Sequence, residues 1–166
     1  MDLGGNTILI TGAGSGIGLG FAKAFARRGN QVIVAVRSPE KAENAAREGL
    51  AVADVDVSDL ASIQALAARV PHKYPSLNAV MNNAGLSSHE NLLAGVDTER
   101  QEAIVVTNLL GYMRVSQALL PHLLQQERPT IMNVSSALAF VPTRRNLPTA
   151  QQKRPSIRTR RACGIS

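Results

Sequence analysis

The residues with the clearest chemistry in this chain are the glycines of residues 11–18, which read Thr-Gly-Ala-Gly-Ser-Gly-Ile-Gly. This stretch follows a short apolar run and opens a segment with helical spacing. Glycines let the backbone approach a ligand closely, and a helix N-terminus offers free N–H groups and a partial positive charge. An ordinary tight turn would also be rich in glycine. The order of strand, glycine turn and helix nevertheless predicts a cradle for a pyrophosphate.

Strand-like and helix-like patterns alternate on both sides of this turn. Strands are predicted near residues 7–11, 31–36, 50–54, 78–82 and 130–135, and helices near residues 16–28, 39–48, 59–70 and 98–125. Regular alternation with almost wholly apolar strands is typical of an α/β protein with a parallel sheet covered on both faces.

Finer patterns within these helices make two further predictions. In the first helix the apolar residues form one stripe, made by Ile17, Phe21, Ala24 and Phe25. The third and fourth helices begin beside residues whose side chains can accept hydrogen bonds from the first backbone amides. The candidate caps are Ser58 or Asp59 for the third helix, and Asp97 or Thr98 for the fourth.

Composition narrows the class of protein. A length of 166 residues suits one domain, and 45% apolar with 18% charged residues is typical of a soluble globular protein. No apolar run approaches the roughly 18 residues of a membrane span, and no signal pattern opens the chain. The single cysteine, Cys163, excludes an internal disulfide framework and fits a reducing cytoplasm. We therefore expect a cytoplasmic protein. The three histidines lack metal-ligand spacing, so we expect no metal site.

Charge divides the chain into two parts. Of the 18 basic residues, seven lie in residues 143–166, where there is no acid, so residues 1–142 hold 11 basic and 12 acidic residues. Such a tail can bind nucleic acid through phosphates, or it can be a solvated, disordered end, which is the commoner case. No aromatic residue is interleaved with its charges for base stacking, which disfavours nucleic acid. We therefore predict a domain over 1–142 and an irregular basic tail over 143–166.

Five elements, in order and at family spacing, carry a resemblance to the short-chain dehydrogenase/reductase family over about residues 5–142. They are the glycine turn, Arg37 after strand two, Asp-Val-Ser-Asp at 56–59, Asn-Asn-Ala-Gly at 82–85, and Asn108 followed by Asn-Val-Ser-Ser at 133–136. The resemblance implies a Rossmann-type doubly wound parallel sheet, incomplete at about five strands. It also implies an NAD(P)-dependent oxidoreductase that transfers a hydride between the cofactor and a small carbonyl or alcohol. A full-length family member would be expected to form homo-oligomers.

The resemblance assigns cofactor roles to the glycine turn. Gly12, Gly16 and Gly18 would shape it, while Ser15 and Ile17 would line the cofactor phosphates.

By resemblance, two later segments would hold the adenine and a ribose of the cofactor. By resemblance, Asp56 accepts a hydrogen bond from the adenine amino group and Val57 touches the ring, although a bare helix cap would look the same. The small Ala84 and Gly85 would let the ribose lie close to the backbone, and Asn83 would tie neighbouring strands.

Cofactor preference depends on the residues at the end of strand two. By resemblance, NAD-selective members place an acid at the strand end, where it accepts hydrogen bonds from the ribose 2′-OH. Here that place holds Val36, followed by Arg37, which can pair with a 2′-phosphate. This favours NADP(H) over NAD(H), with an ordinary surface arginine as the alternative.

The catalytic residues are matched only in part. The resemblance assigns support of a proton-relay water to Asn108 and a hydrogen bond to the substrate carbonyl to Ser136. The family also needs a tyrosine that exchanges the proton and a lysine, four residues later, that lowers its pKa. Tyr74 is followed four residues later by Asn78, and Tyr112 by Ser116. We therefore expect this chain to be inactive, and the alternative is a non-catalytic dinucleotide-binding or regulatory protein.

The tail itself offers an explanation for the missing pair. Read one base earlier, common codons for residues 146–166 permit Pro-Thr-Tyr-Ser-Ala-Thr-Lys, the pattern around the family's catalytic tyrosine. The hidden tyrosine codon straddles Pro148 and Thr149, and the lysine codon straddles Gln152 and Lys153. We hypothesise a one-base deletion or a sequencing error between about residues 142 and 146, so that the tail is read out of frame.

Overall fold

Five parallel strands form one sheet in the computed structural model of the chain, which describes residues 3–87 and 97–136. The strands are β1 (Thr7–Thr11), β2 (Gln31–Val36), β3 (Ala51–Asp54), β4 (Leu77–Asn82) and β5 (Thr130–Asn133). Their order across the sheet is β3-β2-β1-β4-β5, with every pairing parallel. The predicted tail, residues 143–166, lies outside the described residues.

Helices cover both faces of this sheet. They are α1 (Gly16–Ala26), α2 (Pro39–Arg47), α3 (Leu60–Lys73), α4 (Thr98–Val105) and α5 (Gly111–Leu123), with a π-helical turn (Val106–Leu110) between the last two. The predicted α/β fold, a Rossmann-type doubly wound parallel sheet, is confirmed.

Alternate strand residues enter two separate cores, as a sheet covered on both faces requires. One core joins Leu9 and Ile33 to α3 and α5, which contribute to it Ile63, Leu66, Val70, Val115, Leu119 and Leu123. The other core joins Ile8 and Val34 to Ala22 of α1 and Ala45 of α2. Burial on the second face depends on small helix residues, which lets α1 and α2 lie close to the strands.

The predicted apolar stripe of α1 is therefore wrong in part. Ile17 is 73% exposed and Phe21 37% exposed, while the buried positions are Gly18 and Ala22. Phe25 does pack against the core. Because the helix approaches the sheet closely, its small residues, rather than its large ones, face inward.

Two predicted helices differ in detail from the observed ones. The third runs through Pro71 to Lys73 instead of stopping at residue 70. Proline has no N–H to donate to the carbonyl four residues earlier, at Ala67, yet the helix continues for two residues beyond it. The fourth is interrupted by the π turn at residues 106–110. Such single turns are frequent at functional sites.

One helical stretch, Thr98–Leu123, is long and apolar enough by length and composition alone to cross a membrane. A single helix of this kind is weak evidence, because the core helices of soluble proteins meet the same criterion. Val115, Leu119 and Leu123 are buried in the core between α5 and the sheet. We therefore interpret the stretch as a core helix.

At the amino edge of the sheet, the pairing of β1 with β4 shifts by one residue. Thr7 pairs with Leu77 but Ile8 pairs with Ala79, so Asn78 is an extra residue in β4. The Oδ1 atom of Asn78 accepts a hydrogen bond from the Thr7 N–H at 3.0 Å. The side chain therefore takes the place of a missing backbone partner.

Two further asparagines complete an amino-edge network with Asn78. Asn6 accepts from the Asn78 amide at 3.0 Å and donates to Asn30 Oδ1 at 2.9 Å. Asn30 in turn donates to the carbonyls of Leu3 and Phe25, at 2.7 and 2.8 Å. In this network (Asn6, Asn30, Asn78) every side-chain amide nitrogen and oxygen has a partner, which suits groups that are largely removed from water.

Candidate functional site

The candidate site lies at the opposite, carboxyl edge of the sheet. The chain proceeds from β1 outward through β2 to β3, and then crosses back to β4 and β5 on the other side. In open α/β sheets, ligands bind where the strand order reverses in this way, outside the carboxyl ends of the strands. Each segment predicted to carry site residues begins at one of these strand ends or, for Asn108, in the π turn beside them.

The glycine turn after β1 packs directly against the segment after β4. Gly12 has φ of 68°, and a Cβ atom there would lie 2.6 Å from the Cα atom of Ala84. A Cβ atom on Gly18 would overlap the side-chain amide of Asn83. Gly16 has φ of 55° with no atom within 4 Å of a Cβ position. Glycine is thus required at Gly12 and Gly18 by contact, and favoured at Gly16 by its backbone angle.

Gly14 makes a third close approach, which the sequence prediction did not separate from its neighbours. A Cβ atom there would lie 2.5 Å from Lys41 Cβ and 3.0 Å from Val36 Cγ1. The turn is therefore held between α2 and the segment after β4. The glycine itself was visible in the sequence, but which neighbour it touches depends on packing with α2.

The N-terminus of α1 is open, unlike those of α3 and α4. Ser15 precedes α1 in an extended conformation, and its side chain makes no capping hydrogen bond. Ser15, Gly16 and Ile17 are exposed, and the first turn holds no acid. In contrast, carboxylates cap α3 and α4: Asp59 accepts from two backbone amides of α3, and Asp97 accepts from one of α4. The N-terminus of α2 has no side-chain cap either, but its first turn holds the acid Glu40. An uncapped helix end beside a glycine turn is suited to an anion such as a phosphate.

Thr11 and Asn83 join the ends of β1 and β4. Thr11 Oγ1 accepts from the backbone amides of Asn83 and Ala84, at 3.0 and 3.1 Å. The Asn83 amide donates to the carbonyls of Thr11 and Gly12, at 3.0 and 3.3 Å. This reciprocal arrangement fixes the glycine turn relative to the Asn-Ala-Gly segment. The sequence prediction gave Asn83 a tying role but did not identify Thr11 as its partner.

Asn82, at the end of β4, joins that strand to β5 and α5. Its side-chain amide donates to Asn133 Oδ1 and to Ser116 Oγ, both at 2.9 Å. The side chain is fully buried, and among residues 3–87 and 97–136 no donor reaches its Oδ1 atom. The contribution of Ser116 could not be found from sequence, because nothing local marks a serine on an amphipathic helix.

Asn108 lies in the π turn with its side chain on the backbone that follows Gly85. Its Oδ1 accepts from the Leu86 N–H and its Nδ2 donates to the Leu86 carbonyl, both at 2.8 Å. A Cβ atom on Gly85 would lie 3.3 Å from Asn108 Oδ1. Asn108 thereby positions the Ala84–Gly85 backbone, and its role toward a water stays a prediction.

Ser136 lies just past β5 at the same edge and is half-buried. The Val134 N–H before it donates to the Asn82 carbonyl at 2.8 Å, which continues the β4–β5 pairing beyond the strand. The proposed bond from Ser136 to a substrate stays a prediction.

Arg37 and Asp56 form an ion pair across the ends of β2 and β3. The Arg37 Nη1 atom lies 3.0 Å from Asp56 Oδ2, and the side chains are 74% and 28% exposed, respectively. Asp56 Oδ1 accepts from the Ser58 N–H at 2.9 Å and from the Ser58 hydroxyl at 2.5 Å. Burial raises the pKa of Asp56, but the bonds from Ser58 and the charge of Arg37 outweigh it, so that the pKa is lowered.

Val57, next to this pair, is buried in the core rather than open to the site edge. A Cβ atom on Gly111 would lie 2.9 Å from the Val57 carbonyl oxygen. The start of α5 therefore packs directly against the predicted adenine-binding loop.

The comparisons with known proteins agree with this geometry. A sequence model of the family described as short chain dehydrogenase matches residues 6–148. The chain belongs to the short-chain dehydrogenase family.

Curated relatives and solved structures give the extent of the likeness. The chain is 32% identical over 146 residues to the 3-oxoacyl-(acyl-carrier-protein) reductase FabG of Thermotoga maritima, covering 84% of this chain and 59% of that protein. It is 32% identical over 142 residues to the NADP-dependent 3-hydroxy acid dehydrogenase of Schizosaccharomyces pombe, covering 81% and 55%. The crystal structure of a 3-ketoacyl-(acyl-carrier-protein) reductase from Brucella melitensis complexed with NADH has 30% identity and a TM-score of 0.89, covering 99% and 71%. The chain thus spans less than two thirds of the length of these two curated relatives.

The described part of the chain includes both tyrosines of the sequence, Tyr74 and Tyr112. Tyr74 lies at the amino edge, where its carbonyl accepts from the Leu77 N–H and Lys73 lies 5.4 Å from its ring centre. Tyr112 is 5% exposed, and burial raises its pKa. Neither tyrosine combines an accessible hydroxyl with a place at the site edge. Over 3–87 and 97–136, no group of three His, Cys, Asp or Glu residues could hold a metal ion.

Proposed function

We propose that this chain binds a nicotinamide dinucleotide at the carboxyl edge of its sheet, as the cofactor-binding part of an NAD(P)-dependent short-chain oxidoreductase. The observation that carries the proposal is the uncapped N-terminus of α1 beside a glycine turn held between two neighbouring elements. When bound, the cofactor would supply hydride chemistry between its nicotinamide and a small carbonyl or alcohol.

The residues present fit such a cofactor. The exposed backbone of Ser15 and Gly16 and the positive end of α1 suit the pyrophosphate. Asp56 is ionised and offers acceptor oxygens where an adenine amino group is expected. The Ala84–Gly85 segment, fixed by Thr11 and Asn108, provides a close approach for a ribose.

We propose NADP(H) as the preferred form of the cofactor. Arg37 supports this preference, since its guanidinium lies at the end of β2 and is mostly exposed. A guanidinium can form charge-assisted hydrogen bonds to a 2′-phosphate. The name of the S. pombe relative also includes NADP dependence, whereas the B. melitensis reductase was crystallised with NADH.

We further propose that this sequence does not turn over a carbonyl substrate. Ser136 and Asn108 are at the site edge, but no tyrosine there is available to move a proton. The same observation favours a second candidate function, a dinucleotide-binding protein without catalysis. In both cases the cofactor site is the same, and only turnover separates them.

The out-of-frame reading of residues 143–166 would account for the missing tyrosine and lysine. Sequencing the gene across codons 140–150 from an independent sample tests it directly. One additional base would restore tyrosine and lysine in frame. An unchanged sequence would exclude a sequencing error, leave a deletion in the gene itself as the form of the hypothesis that remains, and make the non-catalytic function the better candidate.

Binding of NADPH and NADH to the purified chain tests the main proposal. Titration calorimetry should give saturable binding of both, with NADPH tighter, and a panel of ketones and aldehydes should give no NADPH oxidation. If neither cofactor binds, the proposed site is wrong. NADPH oxidation that is abolished by Ser136→Ala would overturn the proposed lack of turnover while leaving the site intact.

A further inference from the structure

The Arg37–Asp56 pair carries an inference about how strongly this chain distinguishes the two cofactors. It rests on the proposed dinucleotide site. The two residues follow neighbouring strands, whose pairing continues one residue further through the bond from the Val55 N–H to the Val36 carbonyl at 3.1 Å. Both side chains therefore lie at the edge where the adenosine is expected.

The two partners are held very differently. Asp56 is fixed, since its carboxylate accepts two bonds from Ser58 and its own N–H donates to Ser62 Oγ at 2.9 Å. Arg37 touches the carboxylate through Nη1 alone and is mostly exposed. A guanidinium has five N–H donors, so this contact uses a small part of its capacity. The arginine is the partner that can move.

We propose that Asp56 competes with the cofactor's 2′-phosphate for Arg37, and so limits the preference of this chain for NADP(H) over NAD(H). Both are anions that bind one guanidinium, and moving Arg37 fully onto the phosphate breaks its contact with Asp56. NADH carries no 2′-phosphate, so its binding leaves the ion pair in place. Asp56 is then a specificity-determining residue in addition to its predicted contact with adenine.

The expected size of the effect is modest. Ion pairs that are largely exposed contribute little free energy, so releasing Arg37 should change the preference by about two- to fivefold. Arg37 itself should account for most of the preference, because it supplies the charge that a 2′-phosphate meets.

Two probes test the inference on the whole chain without the nicotinamide half of the cofactor. Adenosine 2′,5′-bisphosphate carries the 2′-phosphate, and 5′-AMP lacks it. The ratio of their dissociation constants cancels contacts that both share, such as those to adenine. It should be measured by titration calorimetry for the wild-type chain, Arg37→Ala, Asp56→Asn and the double variant.

Asparagine at position 56 keeps an acceptor for Ser58 but removes the charge that attracts Arg37. Asp56→Asn should raise the preference for the bisphosphate about two- to fivefold, and Arg37→Ala should nearly abolish it. In the double variant the ratio should equal that of Arg37→Ala. If Asp56→Asn leaves the ratio unchanged or lowers it, the inference is wrong. A rise that persists in the Arg37→Ala background would also overturn it, since the carboxylate would then act on the phosphate directly.

A measurement on the wild-type chain covers the case in which Asp56→Asn does not fold. The carboxyl ¹³C signal of Asp56 should move further with the bisphosphate than with 5′-AMP, because only the former withdraws Arg37. Equal movements would contradict the competition. If neither probe binds, the proposed dinucleotide site fails and the inference fails with it. Binding of both probes with no effect of Asp56→Asn removes the inference alone.

Discussion

The two edges of the sheet use the same side chain for different purposes. At the amino edge, Asn6, Asn30 and Asn78 satisfy one another and the nearby backbone. At the carboxyl edge, Asn82 and Asn83 also join neighbouring strands, but Asn82 Oδ1 has no donor in the described ranges and the N-terminus of α1 has no cap. The comparison associates complete pairing of polar groups with the amino edge, and unpaired groups with the edge that we propose to bind the cofactor.

A side chain added to the glycine turn should have the largest effect on stability and on nucleotide binding, because it would collide with backbone atoms at the carboxyl edge. A Cβ atom on Gly18 would lie 2.8 Å from both Ala13 Cα and Gly12 O, and would also overlap Asn83. Gly18→Ala should therefore lower the free energy of unfolding by about 3 kcal/mol, an overpacking cost. It should also weaken 5′-AMP binding at least tenfold. Urea unfolding measures the loss of stability, and titration calorimetry measures the loss of affinity.

Gly20 provides the matched control for this variant in the same helix. No atom lies within 4 Å of a Cβ position there, and its φ is ordinary. Gly20→Ala should be neutral or stabilise by up to about 1 kcal/mol, since alanine is the better helix former. Equal effects of the two variants would show that contact with Asn83 does not determine the turn.

Removing one asparagine of the amino-edge network should lower the free energy of unfolding without changing the affinity for 5′-AMP. Asn6→Ala removes the acceptor of Asn78 Nδ2 in a region that is mostly buried, while Asn30 Oδ1 keeps its bond from the backbone N–H of residue 6. Unsatisfied buried polar groups cost about 1–3 kcal/mol each, so we expect a loss of about 2 kcal/mol in urea unfolding.

The folded fraction of Asn6→Ala should bind 5′-AMP with unchanged affinity. Asn44→Ala, on α2, is the control, because among the described residues the Asn44 side chain accepts only a long bond of 3.3 Å from Arg47. It should change stability by less than about 0.5 kcal/mol. A weaker affinity for 5′-AMP in Asn6→Ala would mean that the two edges do not act separately.

A smaller change in stability should distinguish α3, which has a side-chain cap, from α1, which has none. Asp59→Ala removes a side chain that accepts from the Ala61 and Ser62 amides and should cost about 1 kcal/mol of stability. Ser15→Ala removes no capping bond and should leave thermal unfolding unchanged. It should, however, weaken binding of 5′-AMP if Ser15 lines the phosphate. A loss of stability in Ser15→Ala as large as that in Asp59→Ala would remove the distinction.

The smallest effect concerns pH. Because the pKa of Asp56 is lowered in the folded chain, its contribution to stability is present above the unfolded value, near 3.8, and is lost as the pH falls through the folded value. The difference in urea midpoint between the wild-type chain and Asp56→Asn should therefore be constant from pH 7 to 5 and shrink below pH 3.8. A difference that grows on acidification would contradict the lowered pKa.

Local patterns were sufficient to predict the strands, the glycine turn and the side of the sheet on which each site segment lies. Apolar runs and glycines act over a few residues, so β1 and α1 could be identified without knowledge of the rest. The hydrogen-bond and ion-pair partners of the site residues could not be predicted in this way. Arg37 with Asp56 and Asn82 with Ser116 are brought together by strand order and helix packing, and no spacing in the sequence encodes them. Asn108, in the π turn, likewise bonds to a distant group, the Leu86 backbone.

The extra residue at Asn78 affects the register of β4 along β1 as well as forming a hydrogen bond. Successive residues of a strand advance by about 3.3 Å and point to opposite faces. If β4 slid by one residue relative to β1, Asn83 would move that distance from Thr11, and the core residues of β4 would face the wrong helices. The hydrogen bond from the Thr7 N–H to Asn78 belongs to the observed alignment of β4 with β1. It therefore stabilises the register of the two strands at their amino ends. The same register places the Asn83 amide beside the glycine turn at their carboxyl ends.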